Sequence, residues 1–182
     1  MKKNKIKKKN TDYNWIIKIT LIAFAISFIF SGISETALPN VSLIVGIILV
    51  FVFIILGVLF DMIGVAVTSS DEKQFNSMSA RKVRGAKTAV VFKKNAEKVS
   101  SFCNDVIGDI CGIISGSAGV MIATSIATKL GLPIFWTSLT VTALIAALTI
   151  GGKALGKGVA IAKGNQILFI FAKMISFFKR EK

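Results

Sequence analysis

Four ionisable side chains, Asp61, Asp105, Asp109 and Lys153, stand in segments that are otherwise apolar and long enough to cross a lipid bilayer. A charge at membrane depth is costly, so such residues ordinarily face a partner, a water-filled cavity or an ion rather than lipid. Carboxylates supply the oxygen ligands that Mg²⁺ prefers, whereas an ammonium attracts carboxylates and repels cations. These residue types therefore indicate either a cation site or an intramembrane ion pair.

The composition identifies the class of protein that carries these charges. Of the 182 residues, 53% are hydrophobic, and the mean hydropathy is +0.71. Such a chain is too apolar for an ordinary soluble domain. Apolar runs predict membrane spans at residues 14–33, 41–67, 104–128 and 133–150. The expected fold is therefore all-α, a polytopic membrane protein with four transmembrane helices.

Lysine and arginine residues are concentrated on one predicted side of the membrane. They fill the polar tail of residues 1–13, the segment 70–102 between the second and third spans, and the chain after the fourth span. The two remaining connections contain Glu35 and Lys129 as their charged residues. By the positive-inside rule, both termini and the central segment are expected in the cytoplasm, with the protein integral to the plasma membrane.

The formal net charge of +14 raises the question of an anionic partner. The basic residues flank apolar spans and lie in no recognisable nucleic-acid-binding module, so no nucleic-acid partner is expected. Attraction to the anionic headgroups of the bilayer is the simpler consequence. The chain has no His, no glycine-rich phosphate loop and no plausible pair of nucleophile and base, so we do not expect an enzyme.

The two cysteines, Cys103 and Cys111, lie eight positions apart. On one helix this spacing corresponds to a rise of about 12 Å, beyond the ~7 Å limit for a disulfide. We therefore expect two buried free thiols and no metal site built on them.

Two segments outside the spans have helical patterns. In residues 70–102, apolar side chains recur at roughly helical spacing and Gly85 marks a break, which predicts a helical hairpin. The hairpin is either amphipathic and pressed against the inner membrane face, or a pair of solvated linker helices. Residues 166–178 are apolar apart from Lys173 but short for a span, which favours a juxtamembrane interfacial helix over a re-entrant segment.

A stripe of glycines, Gly108, Gly112 and Gly116, runs along the third predicted span. Small residues at four-residue spacing allow a neighbouring helix to approach closely. Asp105 and Asp109 fall near the same stripe, so their carboxylates are expected to point into the helix bundle. Tight packing with charges near the interface and an ion-related role are both open interpretations.

Residues 58–180 resemble the transmembrane domain of the cyclin M/CorC-type magnesium transporters. The likeness lies in three segments: VAVTSSDEKQFNSMSARKVRGAK resembles the family stretch from the first span into a cytoplasmic hairpin, VIGDICGI resembles IGNNLVN, and GGKALGKGVAIAK resembles GEVLPKTIAKR. The order and spacing of the three segments agree with the family. The resemblance implies that residues 41–182 form the transporter-like domain, with three spans, the basic hairpin and the juxtamembrane helix. Residues 14–33 would then be an extra N-terminal helix.

The resemblance also implies a magnesium site made of polar groups on all three spans, with Asp61 and Asp109 as candidate metal ligands and no other cofactor. Asp109 takes the place of the first asparagine of the family's GNN, and Asp61 falls at or near the serine position of the first span. Lys153 stands where the family has the glutamate of GE. An ammonium about 4 Å from Mg²⁺ would repel it by about 8 kcal/mol at an effective dielectric of ~20.

Two functions are consistent with these residues. The first is transport of a divalent cation, Mg²⁺, with Asp61 and Asp109 on the path. The second is a non-transporting scaffold or regulatory subunit, in which Lys153 replaces the cation by pairing with Asp109, Asp61 or both. A small holin-like or toxin-like protein fits the composition but not the organised charge. The resemblance further implies a homodimer, for which the glycine stripe offers a surface, although the stripe could equally pack within one chain.

Overall fold

The computed structural model describes residues 13–37 and 42–178, and these ranges are folded into helices joined by short turns. The elements are α1 (Tyr13–Ala37), α2 (Leu43–Ser69), α3 (Glu72–Ala80), α4 (Ala86–Lys94), α5 (Ala96–Ser101), a π-helical segment (Phe102–Gly108), α6 (Asp109–Leu130), α7 (Ile134–Ala162) and α8 (Gly164–Phe178). The predicted basic tail lies outside the described residues except for Tyr13, as does part of the connection between the first two spans.

Four helices have the length and apolar composition of membrane spans. They are α1 up to Ser34, the whole of α2, the continuous helix Ala96–Leu130 formed by α5, the π-helical segment and α6, and the whole of α7. The described residues are thus helical, and the prediction of four helices long and apolar enough to cross a membrane is confirmed. The sidedness of the membrane stays a prediction.

Two of the four long helices extend by two turns or more beyond their apolar runs. The third begins at Ala96 instead of residue 104, and α7 continues beyond Ile150 to Ala162. Hydropathy ends a span at its first polar residues, whereas a helix ends only where its backbone hydrogen bonding stops. The added part of α7 packs closely on α2, because a Cβ on Gly152 would lie 2.9 Å from Val58 Cγ2. This extension places Lys153 and Lys157 on the helix.

The spanning helices α2, α6 and α7 pack against one another as the centre of the fold. Between α2 and α6, the buried residues are Val50, Ile54, Ala118 and Ile122, and Ile145 of α7 packs against them. Helix α1 joins from the other side, where its residues Ile19, Ala23 and Ile26 contact Val106, Ile110 and Ile114. The polar residues discussed below therefore lie between helices held together mainly by apolar contacts.

The helices α3, α4 and α8 gather around the end of α2. Their shared core consists of Val67, Phe75, Ala89, Leu168 and Ala172, each with 0% of its surface exposed. The break expected at Gly85 coincides with the turn between α3 and α4, where Gly85 has a φ of +88°. The segment expected to form the juxtamembrane helix corresponds to α8. Whether this cluster lies on the membrane surface or in water stays a prediction.

Candidate intramembrane charge site

Two lysines of α7 approach two carboxylates on the neighbouring spans. Lys153 Nζ lies 3.6 Å from Asp109 Oδ1 on α6, and Lys157 Nζ lies 4.0 Å from Asp61 Oδ2 on α2. Residues four positions apart share one face of a helix, so a single face of α7 carries both ammonium groups. The two contacts link all three central spans, and each is longer than a good hydrogen bond.

The contact between Lys153 and Asp109 lies at the first residue of α6, directly after the π-helical segment. The Asp109 side chain is 64% exposed on the single chain, whereas that of Lys153 is 22% exposed. A Cβ added to Gly108 would lie 3.7 Å from Lys153 Nζ. That distance is an ordinary van der Waals contact, so the ammonium packs directly beside the end of the π-helical segment.

In the contact between Lys157 and Asp61, the carboxylate is buried, unlike that of Asp109. The Asp61 side chain is 7% exposed, and its Oδ2 atom has no hydrogen-bond partner among the described residues. Asn104 Oδ1 shares this condition, while Asn104 Nδ2 donates a hydrogen bond of 3.4 Å to Ser100 Oγ. An unsatisfied buried acceptor costs about 1–3 kcal/mol, so these two oxygens are the least favourably placed polar atoms of the site.

Asn104 reaches α2 because Gly64 has no side chain. The Asn104 amide occupies the space in which a Cβ on Gly64 would stand, so the two residues are in direct contact. Gly64 is three positions after Asp61 and therefore lies on the same face of α2. The amide of Asn104, in the π-helical segment, thus contacts the face of α2 that carries the buried Asp61 carboxylate.

The π-helical segment sets the positions of the polar residues at the start of α6. A π-helix pairs residues five apart, and such turns inside α-helices are frequent at functional sites. Asn104, within the segment, contacts α2, and Asp109, five positions later, contacts α7. The segment therefore places two polar side chains against different neighbouring helices, Asn104 against α2 and Asp109 beside Lys153 of α7.

The expectation that Asp105 and Asp109 point into the bundle is wrong for the single chain. Asp105 is exposed, and no ion pair reaches it within the described residues. Asp109 touches Lys153 but is itself largely exposed. Further along α6, Gly112 and Gly116 also have open space beside them: a Cβ on either would meet nothing within 4 Å.

Of the three stripe glycines, Gly108 is the one in close contact with its surroundings. A Cβ there would lie 3.4 Å from Cys103 O and 3.8 Å from Gly57 O. Gly112 and Gly116 instead form part of a groove of about 240 Å³ between α6 and α7, beside Thr142 and Thr149. That all three glycines pack against another helix stays a prediction. Gly112 and Gly116 have open space in which such a helix could lie.

The described residues contain no cluster of three or more His, Cys, Asp or Glu side chains arranged to hold a metal ion. The two carboxylates that the sequence offers as metal ligands, Asp61 and Asp109, each have an ammonium within 4.0 Å. Cys103 and Cys111 are buried free thiols, as predicted. The site is therefore charged, but its carboxylates are balanced by lysines.

Three residues of the site were not among those expected from the sequence: Lys157, Asn104 and Gly64. Lys157 could have been found, because it lies four positions after Lys153 and must share its helix face. The contact between Asn104 and Gly64 has no comparable signal, since it depends on the register of a π-helical turn.

The chain matches no known family model, no curated protein and no solved structure. The resemblance to the magnesium transporters therefore has the support of the three sequence segments alone, and family membership stays a proposal.

Proposed function

We propose that this protein is a non-transporting membrane scaffold or regulatory subunit, in which lysine ammonium groups occupy the place of a bound cation. The observation that carries the proposal is the pairing of Lys153 with Asp109 at 3.6 Å and of Lys157 with Asp61 at 4.0 Å. Every carboxylate that the resemblance offers as a metal ligand is thus accompanied by a lysine from one face of α7.

The charge balance supports this function. Two ammonium groups neutralise the two carboxylates, as a single dication would. A Mg²⁺ ion about 4 Å from both lysines would be repelled by about 8 kcal/mol from each at an effective dielectric of ~20. An ion could bind only if both side chains moved away, and Lys153 is mostly enclosed, with 22% of its side chain exposed.

Divalent-cation transport is the second candidate, and one observation favours it. Asp61 Oδ2 and Asn104 Oδ1 are buried oxygens to which no group in residues 13–37 and 42–178 donates a hydrogen bond, and oxygen atoms are the ligands that Mg²⁺ prefers. The Lys157 side chain is 54% exposed, so it has space to leave Asp61. Transport would then use Asp61 and Asn104 rather than the pair of Asp61 and Asp109.

A homodimer in the plasma membrane, with both termini in the cytoplasm, is the assembly we propose for either function. The outward face at Asp109, Gly112 and Gly116 supports it, because a carboxylate that is 64% exposed at membrane depth requires a neighbour other than lipid. The open space at Gly112 and Gly116 would accept a closely approaching helix of a second copy.

The two functions differ in how the protein responds to magnesium. The melting temperature of the purified protein should show no saturable shift across a Mg²⁺ titration, compared with NaCl at equal ionic strength. In the Lys153→Glu variant a saturable rise should appear, because a ligand that binds only the folded state stabilises it. A saturable rise in the wild type that Asp109→Ala or Asp61→Asn abolishes would overturn the scaffold function and support transport.

A further inference from the structure

An apolar cleft of about 290 Å³ opens where α1, α2, α4, α5, α8 and the π-helical segment meet. Its walls include Trp15, Phe60, Phe171 and Ile175, and every residue that lines it is apolar except Lys98. The volume is at the small end of the ~300–1,000 Å³ typical of ligand pockets, and no polar group inside could orient a water-soluble ligand. We call this space the Trp15–Lys98 cleft.

Two residues mark one side of the cleft as the side nearer to the lipid headgroups. Lys98 Nζ lies 5.0 Å from the centre of the Trp15 ring, a cation–π contact between α5 and the beginning of α1. Tryptophan concentrates at the boundary between membrane and water, and a lysine extends its ammonium towards that boundary. Phe60 belongs to α2, a helix apolar enough to cross a membrane, so we expect the opposite part of the cleft at the depth of the hydrocarbon chains.

The helices α4 and α5, which both contribute residues to the cleft, carry mostly positive charge. Helices α4 and α5 carry four lysines, Lys87, Lys93, Lys94 and Lys98, against the single carboxylate of Glu97. Lys93 is engaged with the end of α2, where its ammonium donates hydrogen bonds to Val67 O at 3.0 Å and Thr68 O at 2.7 Å. Lys98 is the charged residue among those that line the cleft; its carbon stem contributes to the apolar wall, and its ammonium lies over the Trp15 ring.

We infer that the Trp15–Lys98 cleft binds one anionic phospholipid, with part of an acyl chain against Phe60 and Phe171 and the phosphate beside the Lys98 ammonium. The apolar lining matches an acyl chain and nothing more polar. The ammonium at the headgroup side matches a phosphate, and lysines near a membrane surface attract anionic lipids. The site is separate from the charge pairs of α7 and does not depend on whether the protein transports ions.

The test is the thermal stability of the full chain in a mild non-ionic detergent, measured with added dioleoyl phosphatidylglycerol and with dioleoyl phosphatidylcholine. The two lipids share their acyl chains, so a difference between them reports the headgroup. Phosphatidylglycerol should raise the melting temperature by a few degrees more than phosphatidylcholine, by the linkage between binding and folding. Glycerol phosphate, which has the phosphate without the chains, should produce no shift.

Matched variants locate the effect. Lys98→Gln should remove the advantage of phosphatidylglycerol, whereas Lys94→Gln, a neighbouring exposed lysine outside the cleft, should keep it. Ile175→Trp should fill the cleft and abolish the response to both lipids. Melting curves without lipid establish that each variant is folded, and if Ile175→Trp does not fold, the comparison of the two lysine variants decides.

Three results would overturn the inference. Equal shifts with the two lipids in the wild type would show that Lys98 recognises no headgroup. An equal loss in Lys94→Gln and Lys98→Gln would show a diffuse attraction to the lysine-rich surface. A shift produced by glycerol phosphate would show a phosphate site that needs no acyl chain.

Discussion

The Lys157 ammonium lies 4.0 Å from the carboxylate of Asp61. The two side chains differ in exposure: that of Asp61 is 7% exposed, and that of Lys157 is 54% exposed. The pair therefore joins a buried group on α2 to a partner at the edge of α7. A buried ion pair adds little net stability, but loss of one partner leaves a buried charge without compensation. This asymmetry makes the pair testable by removing one charge and then the other.

Replacing Lys157 by Gln should destabilise the protein by about 1–2 kcal/mol. This is less than the 3–5 kcal/mol of a fully buried pair, because solvent reaches the lysine. The double variant Lys157→Gln/Asp61→Asn should recover most of the loss, since it removes the isolated carboxylate as well. Equilibrium unfolding in mixed micelles measures both changes. A double variant no more stable than Lys157→Gln alone would contradict the pairing.

Replacing Gly64 by Ala should cost about 1–3 kcal/mol, because the added methyl group takes the space of the Asn104 amide and forces α2 and the π-helical segment apart. The matched control is Gly112→Ala, where a Cβ meets nothing within 4 Å. That variant should be neutral or gain up to ~1 kcal/mol from helix propensity. The same unfolding assay compares them, and equal losses in the two variants would contradict the packing described.

Replacing Gly85 by Ala should loosen α8 from α4. Gly85 has a φ of +88°, and a Cβ there would lie 2.8 Å from the backbone Cα of Lys173. The control Gly131→Ala shares the positive φ, at +64°, but has nothing within 4 Å, so it isolates the backbone strain. Limited trypsin digestion should therefore cut after Lys163 or Lys173 faster in Gly85→Ala than in Gly131→Ala. Equal rates would mean that α8 does not depend on this contact.

The sequence predicts the four long helices well because their signal is apolar composition over many residues. It places their ends less well, since Lys153 and Lys157 end an apolar run but not the helix that carries them. The pairing of Lys157 with Asp61 could not be predicted, because no local sequence pattern indicates that α7 packs on α2. The position of Asn104 requires the register of the π-helical turn, and the outward direction of Gly112 depends on how α6 rotates against its neighbours.

The most direct test of the central claim, that Lys153 neutralises Asp109, is a charge-swap cycle on the free energy of unfolding. Lys153→Asp and Asp109→Lys should each destabilise the protein by placing like charges together. The double variant should recover stability, with a coupling energy of about 1–3 kcal/mol. Lys153→Asp combined with Asp105→Lys serves as the control, since Asp105 has no ion pair in the described residues, and should show no recovery. If the losses of unfolding free energy in the two single variants simply add in the double variant, the pairing is contradicted. Asp109 would then again be a candidate cation ligand.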